Sequence, residues 1–262
     1  MDAFKNNLEK YFNEFFSIVA TDSGEWTVKG FIDLYQNIYT ISIDTKVISK
    51  IIELMIFPVI VQFANENDYE MILSSHQNHY PDITFISKKT KEKIALDLKS
   101  TYKTSKDKVN GMTLGAFTGY FRNRHSNKNI SFPYNEYSKH YILGIVYSPT
   151  DKEIDEKIKY KISDLPNIVS VVKDFEFFVQ EKWKIATDRP GSGNTKNIGS
   201  TNKIEELKNG TAVFTKHTNG NKLFDDFWMN YLTKDMAKSI DLDEPHYTNL
   251  KTYFDYKKLK NE

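Results

Sequence analysis

Three side chains on two neighbouring stretches have the types and spacing to act on a phosphate: Asp82, Asp97 and Lys99. Residues 82–87 and 93–101 each read as a short strand, with a lysine-rich turn at 88–92 between them, so they pair as a hairpin. With the turn centred near residue 90, Asp82 stands across the ladder from the stretch Asp97 to Lys99. Side chains alternate along a strand, which puts Asp97 and Lys99 on one face. Two carboxylates and an ammonium then converge at one end of a sheet. Grouped carboxylates repel one another unless a hard cation lies between them. An ammonium beside them stabilises charge on a phosphate or positions an attacking water.

The bare pattern acid-x-Lys decides little, because it occurs five times, starting at Asp44, Asp97, Asp155, Glu206 and Asp255. Most such pairs are solvated surface charges. Asp97-Leu98-Lys99 differs in its setting. It follows the apolar run Ile94-Ala95-Leu96, which partly buries it, and fourteen residues separate Asp97 from the Pro81-Asp82 pair at the mouth of the preceding strand.

Apolar residues at 4, 8, 11, 12, 15 and 16 predict an amphipathic helix over 4–16. A second helix is predicted over 45–63, with Val47, Ile48, Ile51, Ile52, Met55, Val59 and Ile60 inward and a kink at Pro58. Strands follow at 69–73, 82–87 and 93–101, with a polar loop at 74–80, and again at 141–147 and 175–187. A glycine-rich loop occupies 191–200, and helical spacing returns from Phe224 onward. There is no internal repeat and no low-complexity linker. The pattern is that of a single α+β domain over 1–262 with a mixed sheet.

Composition narrows the class. The 262 residues are 39% hydrophobic, 14% aromatic and 27% charged, as in an ordinary globular protein. No uninterrupted apolar run approaches the ~20 residues of a membrane span, and the mixed charges of Asp2, Lys5, Glu9 and Lys10 do not make a secretory signal. With no cysteine, disulfides and thiolate metal sites are excluded, and a cytoplasmic location is expected. A metal, if present, takes oxygen or imidazole ligands, which points to magnesium, manganese or calcium. The formal charge of +1 neither demands nor excludes a nucleic acid, since binding needs only a local basic groove.

The spacing and its flanks resemble the PD-(D/E)xK nucleases, and within them the EcoRV-type restriction endonucleases. The matching stretches are Gln77-Asn78-His79-Tyr80-Pro81-Asp82 and Ile94-Ala95-Leu96-Asp97-Leu98-Lys99. Further likeness lies in Asp44-Thr45-Lys46-Val47, Glu53-Leu54, Thr113-Leu114-Gly115, Arg122-Asn123, Gln180-Glu181-Lys182-Trp183 and the unbroken Gly191-Ser192-Gly193-Asn194-Thr195. Similarity spans about residues 44 to 200, is weak over the first forty, and beyond 220 is confined to Phe227-Trp228 and Asn230-Tyr231.

The resemblance implies a restriction-endonuclease-like fold, a central mixed sheet flanked by helices. The catalytic core falls at about 44–150, the DNA-reading loop at about 189–200 and a helical C-terminal part at about 222–262. It implies that Asp82 and Asp97 bind Mg²⁺ and that Lys99 supports the attacking water and the transition state. Glu53 becomes a supplementary acid and a candidate ligand of a second ion, and Lys46 a neighbour of the site; the plainer readings are a polar helix face and a surface lysine.

The glycine-rich loop is not a phosphate cradle, because no Gly-Lys-Ser/Thr closes it. Glycines instead let backbone approach base edges. An Asn carboxamide fits adenine in two-pronged fashion and a Thr methyl suits thymine. By resemblance Gly191, Gly193, Asn194 and Thr195 read the bases of GATATC, with Asn197 in support. Lys196, where the family has threonine, is expected near a phosphate. Gln77, Asn78 and His79 resemble the family's minor-groove loop, and Thr101 matches a backbone-contacting threonine. Leu232-Thr233 stands where the family has a basic residue.

The implied partners are double-stranded DNA and a second copy of the chain, with no membrane and with a companion methyltransferase in the host. A repair or recombination nuclease would not need the reading loop. A non-cleaving DNA-binding protein would not need Asp82, Asp97 and Lys99 together.

Overall fold

The computed structural model describes residues 2–76, 78–191 and 196–261. The N-terminal helix of the sequence reading is two helices, α1 (Ala3–Glu9) and α2 (Phe12–Val19). Between them Tyr11 leaves helical geometry, and its hydroxyl donates to Glu66, fifty-five residues on. A partner so distant leaves no trace in local periodicity.

Next come the short strands β1 (Phe31–Ile32) and β2 (Asn37–Tyr39), then α3 (Thr45–Glu66). The Asp44 carboxylate caps α3 by accepting from the Lys46 and Val47 amides, two donors that a helix start otherwise leaves unpaired. The helix runs on through Pro58. By length and a mean hydropathy of 1.9, α3 would suffice to cross a membrane, contrary to the reading by uninterrupted runs. Ile48, Ile52, Ile56, Ile60 and Phe63 are instead spent on the core beneath the sheet.

The strands β3 (Tyr69–Leu73), β4 (Ile83–Ser87), β5 (Lys93–Tyr102), β6 (Thr113–Ala116), β7 (Tyr137–Pro149), β8 (Lys159–Lys161) and β9 (Val172–Glu181) follow. The predicted strand over 175–187 is interrupted by a helical turn, α4 (Lys182–Ile185), before β10 (Ala186–Pro190) and β11 (Asn197–Ser200). The chain ends in α5 (Ile204–Asn209), α6 (Gly220–Asn230), α7 (Lys234–Lys238) and α8 (Leu250–Asn261), the helical finish that the spacing predicts.

The central sheet has the order β3-β4-β5-β7-β9 and is mixed, with β5 and β7 parallel and the other pairs antiparallel. Alternation assigns its two faces. Ile94, Leu96 and Leu98 of β5, with Tyr141, Leu143 and Ile145 of β7, pack beneath α1, α2 and α3. Ala95, Ile142, Val146 and Phe178 face a second core shared with the C-terminal helices. Asp97 and Lys99 alternate in step with Ala95, so they open on that second side. Gly144 is paired with Lys99 in the register, and a Cβ there would meet the Phe178 ring at 2.0 Å. The missing side chain lets that ring lie flat on the strand.

Two smaller sheets complete the architecture. One, β10-β11-β6, carries the 191–196 loop between its first two strands; the other is β1-β2-β8.

Candidate active site

Asp82 lies just before β4 and Asp97 in the middle of β5, and the antiparallel register pairs Ile83 with Leu96 next door. The expected convergence is present. The Asp82 amide donates to Asp97 Oδ1 at 3.1 Å, and the Leu98 amide donates to Asp82 Oδ2 at 2.8 Å. Each carboxylate is thus held by a backbone N–H of the opposite strand, so neither is free to rotate away. Lys99 Nζ is 3.6 Å from both Asp82 Oδ2 and Asp97 Oδ2, and donates to the Leu98 carbonyl at 3.2 Å.

Burial differs across the three. The Asp97 side chain is 6% exposed, Lys99 26% and Asp82 40%, so the cluster has a sealed floor and an open mouth. Burial pushes the Asp82 carboxyl up; Lys99 opposes this, while Asp97 and Glu53 add to it. Burial alone would pull the Lys99 ammonium down, but Asp97, Asp82 and Glu53 outweigh it and its pKa is raised. Negative charge therefore exceeds what one lysine satisfies.

The cluster sits where two clefts meet. The larger, about 1100 Å³, is walled by Lys46, Ser49 and Glu53 of α3 and by Asp82, Lys99 and Thr101. The smaller, about 560 Å³, is walled by Asn78, His79, Asp82, Asp97, Lys99, Tyr120 and Asn197. Asp82 and Lys99 border both. A hydrogen bond of 2.5 Å between the Ser49 and Ser100 hydroxyls ties α3 to β5 and fixes the larger cleft's width.

The other sequence-predicted residues fall around these clefts. Glu53 faces the larger one and pairs with Lys50 at 3.0 Å. Lys46 lines the same wall. Thr101 is buried, and its hydroxyl donates to the Asn110 carbonyl at 2.5 Å, which fixes a loop. Asn197 opens β11, pairs with Ala116 of β6 and borders the smaller cleft. Lys196 is exposed, and its carbonyl accepts from the Phe117 amide at 3.0 Å. Gly191 donates its amide to the Asn197 carbonyl at 2.9 Å, closing the base of the loop. A Cβ on Gly191 would come within 2.7 Å of Thr113 Cγ2, so that strand contact requires glycine. Gln77, Gly193, Asn194 and Thr195 lie outside the described residues.

Sequence reasoning missed the aromatic wall. Tyr80 stacks on Tyr120 at 5.1 Å between ring centroids and hydrogen-bonds His140 Nδ1 at 2.7 Å. Buried Lys182 Nζ lies 4.3 Å from the Tyr80 ring centre. A lysine set between apolar Phe177-Phe178-Val179 and Trp183 was the available signal.

A family model described as restriction endonuclease EcoRV matches residues 22–258. Type II restriction enzyme EcoRV of Escherichia coli is 34% identical over 234 residues, spanning 88% of this chain and 91% of that enzyme. This chain belongs to the EcoRV family. It is a type II site-specific deoxyribonuclease, and its substrate is DNA. Among solved structures, NlaIV restriction endonuclease aligns with a TM-score of 0.40 and 13% identity, covering 75% of this chain and 68% of that one.

The donor set of this EcoRV-family site suits a hard divalent cation. Among the described residues no group of three or more His, Asp or Glu side chains gathers to enclose an ion. Magnesium needs no such cage, since it commonly keeps several waters and takes one or two carboxylates plus substrate phosphate oxygens. Asp82 and Asp97, backbone-anchored and open to solvent on one side, offer that many.

Proposed function

We propose that this enzyme cuts both strands of GATATC at the centre, leaving blunt ends with 5′-phosphates and 3′-hydroxyls, and that Asp82, Asp97 and Lys99 carry the reaction with Mg²⁺. The observation that supports this most is the meeting of the three side chains within 3.6 Å at the junction of two clefts. Asp82 and Asp97 would hold the cation, whose chemistry when bound is to polarise the phosphate and lower the pKa of water. Lys99, held between the carboxylates, faces the scissile phosphate, where its ammonium neutralises the charge that grows on the non-bridging oxygens. Water adds to phosphorus, the bond to the 3′ oxygen breaks, and that oxygen leaves with a proton. Glu53, across the larger cleft, is a supplementary acid that adds negative charge to the same field, and Lys46 flanks it.

Target preference rests on the Gly191–Thr195 stretch, whose sequence is the reading loop of the family. Asn194 and Thr195 meet base edges, Gly191 and Gly193 allow the approach, and Asn197 supports the loop from β11. Lys196 and the 77–79 loop grip backbone and minor groove.

A palindrome is read by a twofold dimer. An exposed apolar surface supports a second copy as partner: Phe31, Ile32, Leu34 and Tyr35 on β1 and its turn, with Ile162 and Leu165 after β8. Apolar exposure concentrated on one small sheet marks an interface. A companion methyltransferase follows from the need to spare host DNA, and the lack of cysteine fits a cytoplasmic location. Digestion of a plasmid of known sequence with Mg²⁺, followed by sequencing of the ends, tests the assignment; ends at any other site, or staggered ends, refute it.

A further inference from the structure

Lys182 opens α4 directly after β9 and is 2% exposed. Its Nζ makes no hydrogen bond among the described residues. It lies 4.3 Å from the Tyr80 ring centre and 5.8 Å from that of Tyr134, and these two rings stack at 6.0 Å. A Cβ built on Gly115 would stand 3.6 Å from Nζ, in ordinary van der Waals contact, so the ammonium lies directly against β6. An ammonium removed from water without a partner is costly, and the tyrosine faces repay only part of that. Burial pulls its pKa down to about 8, and Asp97 is the group that most opposes this.

The placement is what matters. Tyr80 is two residues before Asp82, and Gly115 lies on β6, the strand hydrogen-bonded to β11 beside the reading loop. Asp82 and Asp97 carry two negative charges, and Lys99 supplies one positive charge in the open mouth. Lys182 supplies a second from the sealed side.

We propose that Lys182 is a positioning residue for cleavage: seated on the ring of Tyr80, two residues before Asp82, it provides a buried positive charge that steadies the carboxylate pair and moderates its attraction for a divalent cation. This rests on Asp82, Asp97 and Lys99 being the cleavage residues. Lys99 acts on the DNA from the solvent side. Lys182 is walled off from it and acts only through the carboxylates and Tyr80.

The test is Lys182→Met in the full chain, which keeps the length of the side chain and removes the charge, with Asp97→Ala measured in parallel. Readouts are the single-turnover cleavage rate on the target duplex, the half-saturating Mg²⁺ concentration, and duplex affinity in Ca²⁺. The rate should fall by about 10–100-fold, the usual effect of losing a group that orients a metal ligand. Duplex affinity should hold, because Lys182 does not touch DNA. Half-saturating Mg²⁺ should fall by roughly threefold or more, as expected when one like charge is removed from the neighbourhood of a divalent ion whose field solvent at the open mouth partly screens. A purely structural lysine would not make the enzyme slower and its metal binding tighter together. A parent-like rate, or a half-saturating Mg²⁺ that stays or rises, overturns the proposal. Should Met unfold the chain, Lys182→Gln takes its place. It too removes the charge but leaves a polar tip beside the tyrosine faces, so in a folded protein the same slower cleavage with a lower half-saturating Mg²⁺ is expected. A parent-like rate for that variant overturns it equally. Cleavage by Asp97→Ala would overturn the active site itself, whereas a dead Asp97→Ala beside a parent-like Lys182 variant removes only Lys182.

Discussion

Replacing Lys99 with Met should lower stability in chelator, and a divalent cation should restore it. Lys99 Nζ is 3.6 Å from one oxygen of each carboxylate. At an effective dielectric of about 20, each contact has a gross Coulomb energy of about 4–5 kcal/mol. Returning the ammonium to water in the unfolded chain offsets much of this. Because Asp82 is 40% exposed, water also screens its share. The buried partner, Asp97, is left without its neighbouring cation, and removing one member of a buried pair costs about 3–5 kcal/mol when sealed. With one side open, a loss of about 1–3 kcal/mol is the reasonable figure. For a chain of this size that lowers the melting temperature by roughly 2–12 °C in EDTA. The vacated space and uncompensated charge favour a divalent ion, so saturating Ca²⁺ or Mg²⁺ should raise the melting temperature more in the variant than in the parent. Cleavage should be lost, because no ammonium remains at the phosphate. Thermal melts of parent and variant, in EDTA and in each cation, provide the measurement. Equal melting in EDTA, or equal cation-induced shifts, would refute the electrostatic account of the cluster.

Exhaustive chelation should abolish cleavage, and Mn²⁺ should restore it alongside Mg²⁺; Ca²⁺ should support target binding without cutting, since it is larger and activates water poorly. Full activity in EDTA would exclude the metal mechanism. Asn194→Ala should lose preference for the adenine next to the outer guanine, by roughly 1–3 kcal/mol per half-site. Lys196→Thr should instead weaken binding to every duplex alike and flatten its salt dependence. Cleavage of matched and single-base-changed duplexes at two salt concentrations separates these effects, and full discrimination by Asn194→Ala would remove the loop from base reading. Gly144→Ala should destabilise the fold by about 1–3 kcal/mol, because its Cβ would meet the Phe178 ring at 2.0 Å and overpack the strand beside Lys99. Urea unfolding measures it, and a neutral result would mean that Phe178 moves aside freely.

The hairpin of the site was legible because everything that fixes it is local. A short turn sets the register of 82–87 against 93–101, and the period of two then assigns Asp97 and Lys99 to one face. The start of α3, strand β3 and the helical finish were legible for the same reason: apolar periodicity acts over a few residues. The break at Tyr11 was not, since it depends on Glu66. Nor was the helical turn at Lys182–Ile185, where an apolar stretch reads as continuous strand.

By itself the sequence determined which chemistry the chain carries, because carboxylate, ammonium and glycine are properties of residue types, and their order was enough to show the family. Tertiary structure decided what surrounds that chemistry. Only the parallel pairing of β5 with β7 sets Gly144 beside Lys99, and only the antiparallel pairing of β7 with β9 sets the Phe178 ring against Gly144. Only the packing of α3 on the sheet places Glu53 across the cleft from Asp82, and only the approach of the end of β9 to residues 80–82 brings Lys182 onto the Tyr80 ring. These neighbours lie tens to about a hundred residues apart in the chain, and no local pattern records contacts that form when separate hydrophobic faces close on one another.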